Sequence, residues 1–520
     1  MSNKQTNTVL IALIVALGGL LMGFDASVIS GVVGFIETEF KLSKIELGWS
    51  VSSLTLTATL AMLTAGPLSD RIGRKKVLSY SAVLYAISAV GSALAPNFIV
   101  LVIFRMIGGL GVGASLILAP MYIAEISPPN LRGRMVSFNQ LNIVVGISLA
   151  FFTNYLILKW GKSDYSWALS LGLDKYNWRW MLGLETLPAV LYFFGLFIVP
   201  RSPRWLVMKG KFNEGVEVMK KFTSEEEALK EMKATQHSME NDSGSKDKTS
   251  AKELFVPAMK FVLTIGVVIA ILQQITGINS VFFYAPMIFE QSGIGTDASF
   301  VQAILVGLVN LVFTILAILF IDKLGRRPLL IFGVTGITLC MFLLAYGFNS
   351  ATYTLTEKSL STLENKEIST SLMTIKDITY ESDVSFKKAV REVIDEVEMK
   401  ENESTIISAA ISMNPVLILF GILGFVASFA ISLGPVMWVL FSELFPNRIR
   451  GIAISFVGLI NSGVSFLVQL TFPWELDTLG NAATFLIYGL FALIGLLFII
   501  KMVPETKEKS LEELEKILVK

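Results

Sequence analysis

Three ionisable residues interrupt long apolar stretches of the sequence and are its first candidates for chemistry: Asp25, Arg105 and Glu185. A charge at the centre of a bilayer costs about 2.5–3.5 kcal/mol on insertion scales, so a charge inside a membrane requires a partner or a function. One arginine can hold one carboxylate ionised, while burial favours the protonated form of the other. The trio therefore predicts proton coupling inside a membrane, with a static ion pair or a position at a span end as the alternative.

Neutral amides form a second polar set in other apolar stretches. An amide offers both donors and acceptors, which suits a solute rich in hydroxyl groups. Trp438 has an aromatic face on which a sugar ring can stack. The alternative for any single amide is a hydrogen bond between helices, which is common in membranes. The candidate binding residues are Gln140, Gln273, Gln274, Asn279, Asn310, Trp438 and Asn461.

Two of these amides need a break in their helix to act together. Gln274 and Asn279 are five residues apart, so a regular helix would point them about 140° apart. Gly277 lies between them and permits such a break. Interrupted helices at mid-membrane are typical of binding sites in transporters.

A third set of residues repeats along the chain. Asp70-Arg71-Ile72-Gly73-Arg74-Lys75 has a counterpart in Asp322-Lys323-Leu324-Gly325-Arg326-Arg327. Glu125 followed by Arg132 has a counterpart in Glu443 followed by Arg450. Ion pairs among these residues are predicted to latch the two halves together on the cytoplasmic side, unless the basic residues serve topology alone. The predicted latch residues are Asp70, Arg74, Glu125, Arg132, Asp322, Arg326, Glu443 and Arg450.

Composition supplies the setting for these residues. The chain has 520 residues, of which 53% are hydrophobic and 16% are charged, whereas soluble domains carry roughly 25% charged residues. The net charge of +1 indicates no attraction to nucleic acid. The only histidine, His237, lies in a polar stretch, so proton chemistry within the membrane must use carboxylates. A polytopic membrane protein is predicted.

Apolar runs of about 20 residues, enough to cross a bilayer, recur twelve times. They fall at residues 8–30, 47–68, 77–95, 98–124, 135–158, 180–200, 259–290, 299–321, 328–348, 412–441, 449–472 and 481–502. The predicted organisation is a six-helix half (1–200), linker helices (201–258), a second six-helix half (259–506) and a tail (507–520). Basic residues concentrate in alternate short loops, which predicts that both termini are cytoplasmic.

A polar insert at 349–411 separates the ninth and tenth predicted spans and is expected outside the cell. Phe386, Val390, Ile394 and Val397 have helical spacing, which predicts one amphipathic helix near 385–400. The insert is expected to be a solvated, partly ordered cap, with docking of an outer partner as the alternative.

Several motifs together resemble the sugar porter family of the major facilitator superfamily, and bacterial proton-coupled xylose-type permeases in particular. They are the Asp70–Lys75 motif and Pro203-Arg204-Trp205, followed by Gln273-Gln274-Ile275-Thr276-Gly277-Ile278-Asn279, Gly434-Pro435-Val436-Met437-Trp438 and Pro504-Glu505-Thr506-Lys507. The resemblance implies an all-α membrane protein with twelve transmembrane helices in two six-helix halves and a cytoplasmic helical linker. It implies that the amides and Trp438 line a sugar site and that Asp25 stands where proton-coupled members carry the titrating aspartate, with Arg105 and Glu185 as its partners.

The implied function is import of a monosaccharide (a pentose, hexose or cyclic polyol) by proton symport through alternating access. A facilitative uniporter and a transporter-like receptor remain as alternatives, and no motif of an enzyme is present. The proton is the coupling ion and no other cofactor is expected. The expected partners are the sugar, the proton and the lipid bilayer of a bacterial inner membrane, with the monomer as the working unit. Phe283, Asn461 and Ser462 depart from the xylose-permease pattern, so the sugar itself stays open.

Overall fold

The computed structural model describes residues 3–128, 131–244, 251–363, 365–446, 448–507 and 513–514. Twelve helices of this part of the chain are long and apolar enough to cross a membrane, as predicted. Their bounds differ from the predicted ones by at most six residues. Spans 1 to 12 are Lys4–Gly31, Lys44–Ile72, Arg74–Ala93, Phe98–Ile126, Arg132–Gly161, Asn177–Ile198, Pro257–Glu290, Thr296–Ile321, Arg326–Asn349, Pro415–Leu444, Arg450–Thr478 and Asn481–Met502.

Three spans are interrupted rather than continuous, and span 1 ends in a 3-10 turn. Span 1 consists of Asn3–Val28 and the 3-10 turn Ile29–Gly31, and span 6 of Asn177–Gly183 and Thr186–Ile198. Span 7 is a 3-10 turn, Pro257–Met259, followed by Lys260–Ile275 and Ile278–Glu290, and span 10 is Pro415–Ile431 and Leu433–Leu444. Irregular backbone at membrane depth is tolerated only where protein or a water-filled cavity surrounds it. The breaks in spans 6 and 7 lie beside predicted functional residues.

Short elements connect the spans. After span 1 comes Val33–Glu39, and Ser166–Ser170 precedes span 6. Residues 201–258 form Pro203–Met208, Phe212–Met219 and Glu225–Gly244, followed by the 3-10 turn Ala251–Phe255. The three helices share an apolar core of Val207, Val216, Met219, Ala228 and Met232. The three linker helices are therefore packed against one another.

The insert at 349–411 is a small folded unit and not the partly ordered cap that we predicted. Strands β1 (Thr352–Thr354), β2 (Thr379–Tyr380) and β3 (Ile411–Ser412) form an antiparallel sheet in the order β2-β1-β3. Its helices are Glu357–Ser361, Lys366–Leu372, the 3-10 turn Met373–Ile375, Asp383–Arg391 and Glu396–Ala410. Buried side chains from all of these helices and from β1 form one apolar core, which gives the insert its own stability.

The single helix predicted near 385–400 is two helices, Asp383–Arg391 and Glu396–Ala410. Asp395 ends the interruption, because its side chain caps the second helix by accepting a hydrogen bond from the Glu398 backbone N–H at 2.7 Å. Phe386, Val390 and Ile394 are buried as expected, but Val397 lies beyond the break and is 37% exposed. Helical spacing alone did not reveal the cap that restarts the helix.

The chain forms two compact units. The first contains residues 1–27, 53–150 and 182–250, and the second contains 28–52, 151–181 and 251–520. In the first unit, Arg74–Ala93 packs along Phe98–Ile126. In the second, Arg326–Asn349 packs along Asn481–Met502 and Pro415–Ile431. Residues 28–52 and 151–181, which precede the linker in the sequence, thus belong to the same compact unit as the insert.

Glycine allows two spans of the first unit to approach closely. A Cβ at Gly113 would lie 2.0 Å from the Ala58 carbonyl oxygen, which is backbone and cannot move aside. We expect Gly113→Ala to destabilise the protein by about 1–3 kcal/mol through overpacking, measured as a lower Tm in detergent. In the control Gly66→Ala, the new Cβ meets no atom within 4 Å, so its Tm is expected to stay or rise slightly. Equal Tm values for the two variants would contradict this account of the helix crossing.

Candidate functional site

Asp25 and Arg105 form an ion pair inside the first unit. Asp25 lies on Asn3–Val28 and Arg105 on Phe98–Ile126, and Arg105 Nη1 is 3.3 Å from Asp25 Oδ1. Each side chain is 2% exposed. Two charges removed from water this completely are stable only when paired. The pair predicted from the two apolar stretches is therefore present.

Glu185 is the third member of this site and lies in the break of span 6, between Asn177–Gly183 and Thr186–Ile198. It is 2% exposed and near enough to Asp25 and Arg105 to interact electrostatically with both. Among the described residues, Asp25 Oδ2 and Glu185 Oε1 have no hydrogen-bond partner. In the described part of the chain, the site thus holds two carboxylates and one guanidinium.

Two residues that we did not single out from the sequence also border this site. A Cβ at Gly108 would lie 3.0 Å from Asp25 Oδ2, so glycine provides the room that the carboxylate occupies. Tyr85 is fully buried and interacts electrostatically with both acids. A tyrosine within an apolar helix was the available signal for Tyr85. Gly108 lies in a glycine-rich run of Phe98–Ile126.

In the second unit, four predicted amides form a hydrogen-bonded network. Asn461 Nδ2 donates to Gln273 Oε1 at 2.8 Å, and Gln274 Nε2 donates to Asn461 Oδ1 at 3.2 Å. Asn279 Nδ2 donates to Gln274 Oε1 at 2.8 Å. Gln273, Gln274 and Asn461 are buried, and Asn279 is half-buried. The network joins spans 7 and 11 and contains the mixed donors and acceptors that a polyhydroxylated ligand requires.

The break that brings Gln274 and Asn279 together is at Gly277, as predicted. Gly277 has φ +86° and ψ 16°, in the left-handed region that favours glycine. A Cβ there would also lie 2.5 Å from the ring of Tyr488, which packs against the break. The break in the helix at Gly277 places Asn279 within hydrogen-bond distance of Gln274. A continuous helix would keep the two side chains apart.

Sequence reasoning missed two polar residues that extend the network. Asn279 Nδ2 also donates to Ser465 Oγ at 2.7 Å, and Gln469 Nε2 donates to the same oxygen at 2.7 Å. The signal was available, because Asn461, Ser465 and Gln469 are spaced by four residues and share one face of a helix.

The other candidate binding residues lie on helices that do not carry this network. Asn310 is buried in Thr296–Leu324 and is not part of the network among the described residues. Trp438 is 43% exposed on Leu433–Leu444 and lies in van der Waals range of a Cβ at Gly458. Gln140 is exposed on Arg132–Gly161 in the first unit. The predicted roles of these three residues in one pocket stay predictions.

The repeated basic motif braces helices within the first unit. Arg74 pairs with Asp70 at 2.7 Å and with Glu125 at 3.1 Å. Ser202, at the start of the linker helices, donates to the other oxygen of Glu125 at 2.5 Å. Arg132 pairs with Glu231 of Glu225–Gly244 at 2.5 Å. These ion pairs and the Ser202 hydrogen bond connect spans 2, 3, 4 and 5 with the linker helices.

The second copy of the motif makes the equivalent brace in the second unit. Arg326 pairs with Glu443 at 2.7 Å, and Thr506 Oγ1 donates to Glu443 at 2.6 Å. Glu505 accepts hydrogen bonds from the backbone N–H of Arg326 at 3.1 Å. Arg450 Nε donates to the Phe445 carbonyl at 3.1 Å, while the side chain of Asp322 lies outside the described residues. The pairs observed join helices of one unit, and the predicted latch between the halves stays a prediction.

The sequence matches the family model described as "Sugar (and other) transporter" over residues 11–372 and 399–518. The arabinose-proton symporter of Bacillus subtilis is 34% identical over 100% of this chain and 97% of its own. The D-xylose-proton symporter of Escherichia coli K12 is 35% identical over 97% of this chain and 94% of its own.

Solved structures of similar sequence identify the fold. The partially occluded inward open form of the E. coli xylose transporter XylE matches with a TM-score of 0.73 and 32% identity, over 97% of this chain and 99% of that one. XylE bound to 6-bromo-6-deoxy-D-glucose matches with a TM-score of 0.69 and 33% identity, over 99% of this chain and 100% of that one. The chain therefore belongs to the sugar transporter family, and its twelve-helix fold is that of the major facilitator superfamily.

Proposed function

We propose that this protein imports a monosaccharide together with a proton. The observation that carries the proposal is the buried Asp25–Arg105 pair with Glu185 beside it. One guanidinium neutralises one carboxylate, so the second buried acid favours uptake of a proton. The arabinose- and xylose-proton symporters, similar over nearly their full lengths, support the same assignment.

The amide network supplies the sugar side of the proposal. Gln273, Gln274, Asn279 and Asn461 bond to one another, and a bound sugar would exchange its hydroxyl groups for these contacts without leaving a buried polar atom unpaired. Phe283 follows Asn279 by four residues and is buried, and its side chain has no hydroxyl group. We infer a pocket that accepts a pentose, a hexose or a cyclic polyol through amide hydrogen bonds.

Coupling follows from linkage between the two ligands. If both the proton and the sugar bind more tightly to one conformation of an alternating-access cycle, each raises the affinity for the other by the same factor. A ligand without such a preference would shift nothing. Protonation of the Asp25–Glu185 site and occupation of the amide site together therefore favour the conformational change that carries both.

We also propose the orientation and setting of the chain. Arg71, Arg74, Lys75, Lys323 and Arg326 lie at basic span ends, which the positive-inside rule assigns to the cytoplasm. The termini and the linker helices are then cytoplasmic, and the insert lies outside a bacterial inner membrane. The cytoplasmic face is the inner face, and the opposite face is the outer face. The monomer is proposed as the working unit.

The proposed function is tested by uptake of labelled xylose, arabinose, glucose, galactose and inositol into proteoliposomes, with and without an inward proton gradient. Accumulation of one of them above equilibrium only with the gradient is expected, because the proton supplies the driving force. Equilibration without accumulation for every solute would instead make the protein a facilitator. Absence of uptake across the whole panel would contradict a transporter of these sugars.

Asp25→Asn tests the proton site. The amide keeps the shape and polarity of the side chain but cannot ionise, so the variant should exchange sugar across the membrane and lose accumulation entirely. Counterflow and gradient-driven uptake in the same proteoliposomes measure the two activities. The control is Asp164→Asn, an exposed loop carboxylate, which should accumulate normally. If Asp25→Asn still concentrates sugar, Asp25 is not the coupling group.

Gln274→Ala tests the sugar site. The substitution removes hydrogen bonds to Gln273, Asn279 and Asn461, so sugar affinity should fall by about tenfold or more, as for the loss of one or two hydrogen bonds. Sugar binding is measured by tryptophan fluorescence or calorimetry, and folding by Tm. Thr338→Ala is the matched control, since it truncates a buried polar side chain in another span of the same unit. Unchanged affinity in a folded Gln274→Ala protein removes this residue from the site.

A further inference from the structure

The insert is fastened to the outer ends of spans 7, 11 and 12, which are not its neighbours in the sequence. Asp383 accepts hydrogen bonds from the Asn481 backbone N–H at 3.0 Å and from Asn481 Nδ2 at 2.7 Å. Arg391 pairs with Asp477 at 2.6 Å. Ser408 donates to the Gly293 carbonyl at 2.7 Å, directly after Ile278–Glu290. These contacts hold the insert on spans 7, 11 and 12, which all follow the linker in sequence.

Further contacts join the insert to a segment that precedes the linker. Glu403 of the insert pairs with Lys387 at 2.8 Å and with Lys44 at 3.5 Å, and Lys44 pairs with Glu37 at 2.6 Å. Gln291 Nε2 donates to Glu403 at 3.2 Å. We call Glu37, Lys44, Lys387 and Glu403 the outer clasp. Lys44 begins span 2, and Glu37 lies on Val33–Glu39, between spans 1 and 2.

The outer clasp is buried and balanced in charge. Its side chains are only 4–12% exposed, and it contains two carboxylates and two ammonium groups. Burial opposes ionisation of Glu403, but Lys387 and Lys44 outweigh that effect and hold its pKa below the ordinary value of a glutamate. Glu403 is the central member, because it is the only one of the four bonded to both lysines of the clasp among the described residues.

The clasp lies where an outer gate must open. The turn Ile29–Gly31 and the helix Val33–Glu39 pack against Ile278–Glu290, the half of span 7 that carries Asn279. A cavity of about 530 Å³, bordered by Glu37, Gln291 and Glu403, reaches the same helix at Pro286 and Glu290. Separation of these elements would open the cavity further and would move Glu37 and Lys44 away from Glu403.

We propose that the insert is part of the transport machinery, and that Glu403 and Lys387 are positioning residues that hold the outer gate shut through Lys44 and Glu37. The inference rests on alternating access with the orientation given under the proposed function. Ion pairs suit a contact that must break in every transport cycle. Ions that separate are hydrated, whereas an apolar seal would expose hydrophobic surface to water in the open state. The clasp thus stabilises the closed arrangement without making the open one costly.

The test measures opening of the gate directly and requires neither sugar nor a proton gradient. Cys340, the only cysteine, is replaced by serine, and Val32→Cys supplies a reporter at a fully buried position beside the gate. Cells are treated with a membrane-impermeant maleimide, and the rate of labelling is measured. Glu403→Gln leaves Lys44 and Lys387 with only Glu37, so the closed state loses its charge balance. Labelling should become about tenfold faster, equivalent to about 1.4 kcal/mol in the gating equilibrium.

Three further variants make the result specific. Glu403→Gln combined with Lys387→Gln restores charge balance and should label more slowly than Glu403→Gln alone. Glu403→Asp keeps the charge on a shorter side chain and should fall between the wild type and Glu403→Gln, even if the latter folds poorly. Arg391→Gln breaks an ion pair of the insert with span 11 but not the clasp, and should label as the wild type does.

Unchanged labelling in folded Glu403→Gln and Glu403→Asp overturns the proposal, as does equally fast labelling in Arg391→Gln, which would indicate general loosening of the insert. A double variant as fast as Glu403→Gln would overturn the role of charge balance. Failure of proton coupling in the sugar assay leaves these labelling rates untouched, so the two proposals fail separately.

Discussion

Charge held in apolar surroundings is the constraint on which this structure depends. Each ionisable residue that lies deep in the protein must meet an opposite charge, since an isolated buried ion costs more than folding can supply. Arg105 meets this demand for Asp25, and Arg74 and Arg326 do so for Glu125 and Glu443. Glu185 is a second buried carboxylate beside the Asp25–Arg105 pair. In the proposed function, this second acid makes the site responsive to protons.

Breaks in the spans bring polar side chains together. Gly277 interrupts span 7 where the amides converge, and residues 184–185 interrupt span 6 where Glu185 lies. A continuous helix satisfies its own backbone and offers only side chains, whereas an interrupted helix turns neighbouring side chains toward one another. The polar chemistry of both sites is therefore concentrated at positions where regular structure stops.

Particular elements show how far sequence reasoning reached. The twelve spans, the pairing of Asp25 with Arg105 and the break at Gly277 were predicted because apolar length, unpaired charge and a glycine between two amides are local signals. Ser465 and Gln469 were missed although their spacing from Asn461 placed them on one helical face. The helix of the insert was predicted as continuous, because the capping effect of Asp395 is not part of an apolar periodicity. No prediction paired Arg132 with Glu231, and none paired Glu403 with Lys44 or Lys387.

The sequence by itself determined that the chain crosses a membrane, where each span runs and which polar residues are too costly to lie there without a role. These properties depend on the transfer of individual residues from water to a bilayer, which neighbours along the chain largely decide. Only the tertiary structure decided which carboxylate meets which cation, that the insert folds around its own core and that Glu403 reaches Lys44. Those contacts join residues separated by up to hundreds of positions, and their energy depends on distance and burial, which no local pattern of residues contains.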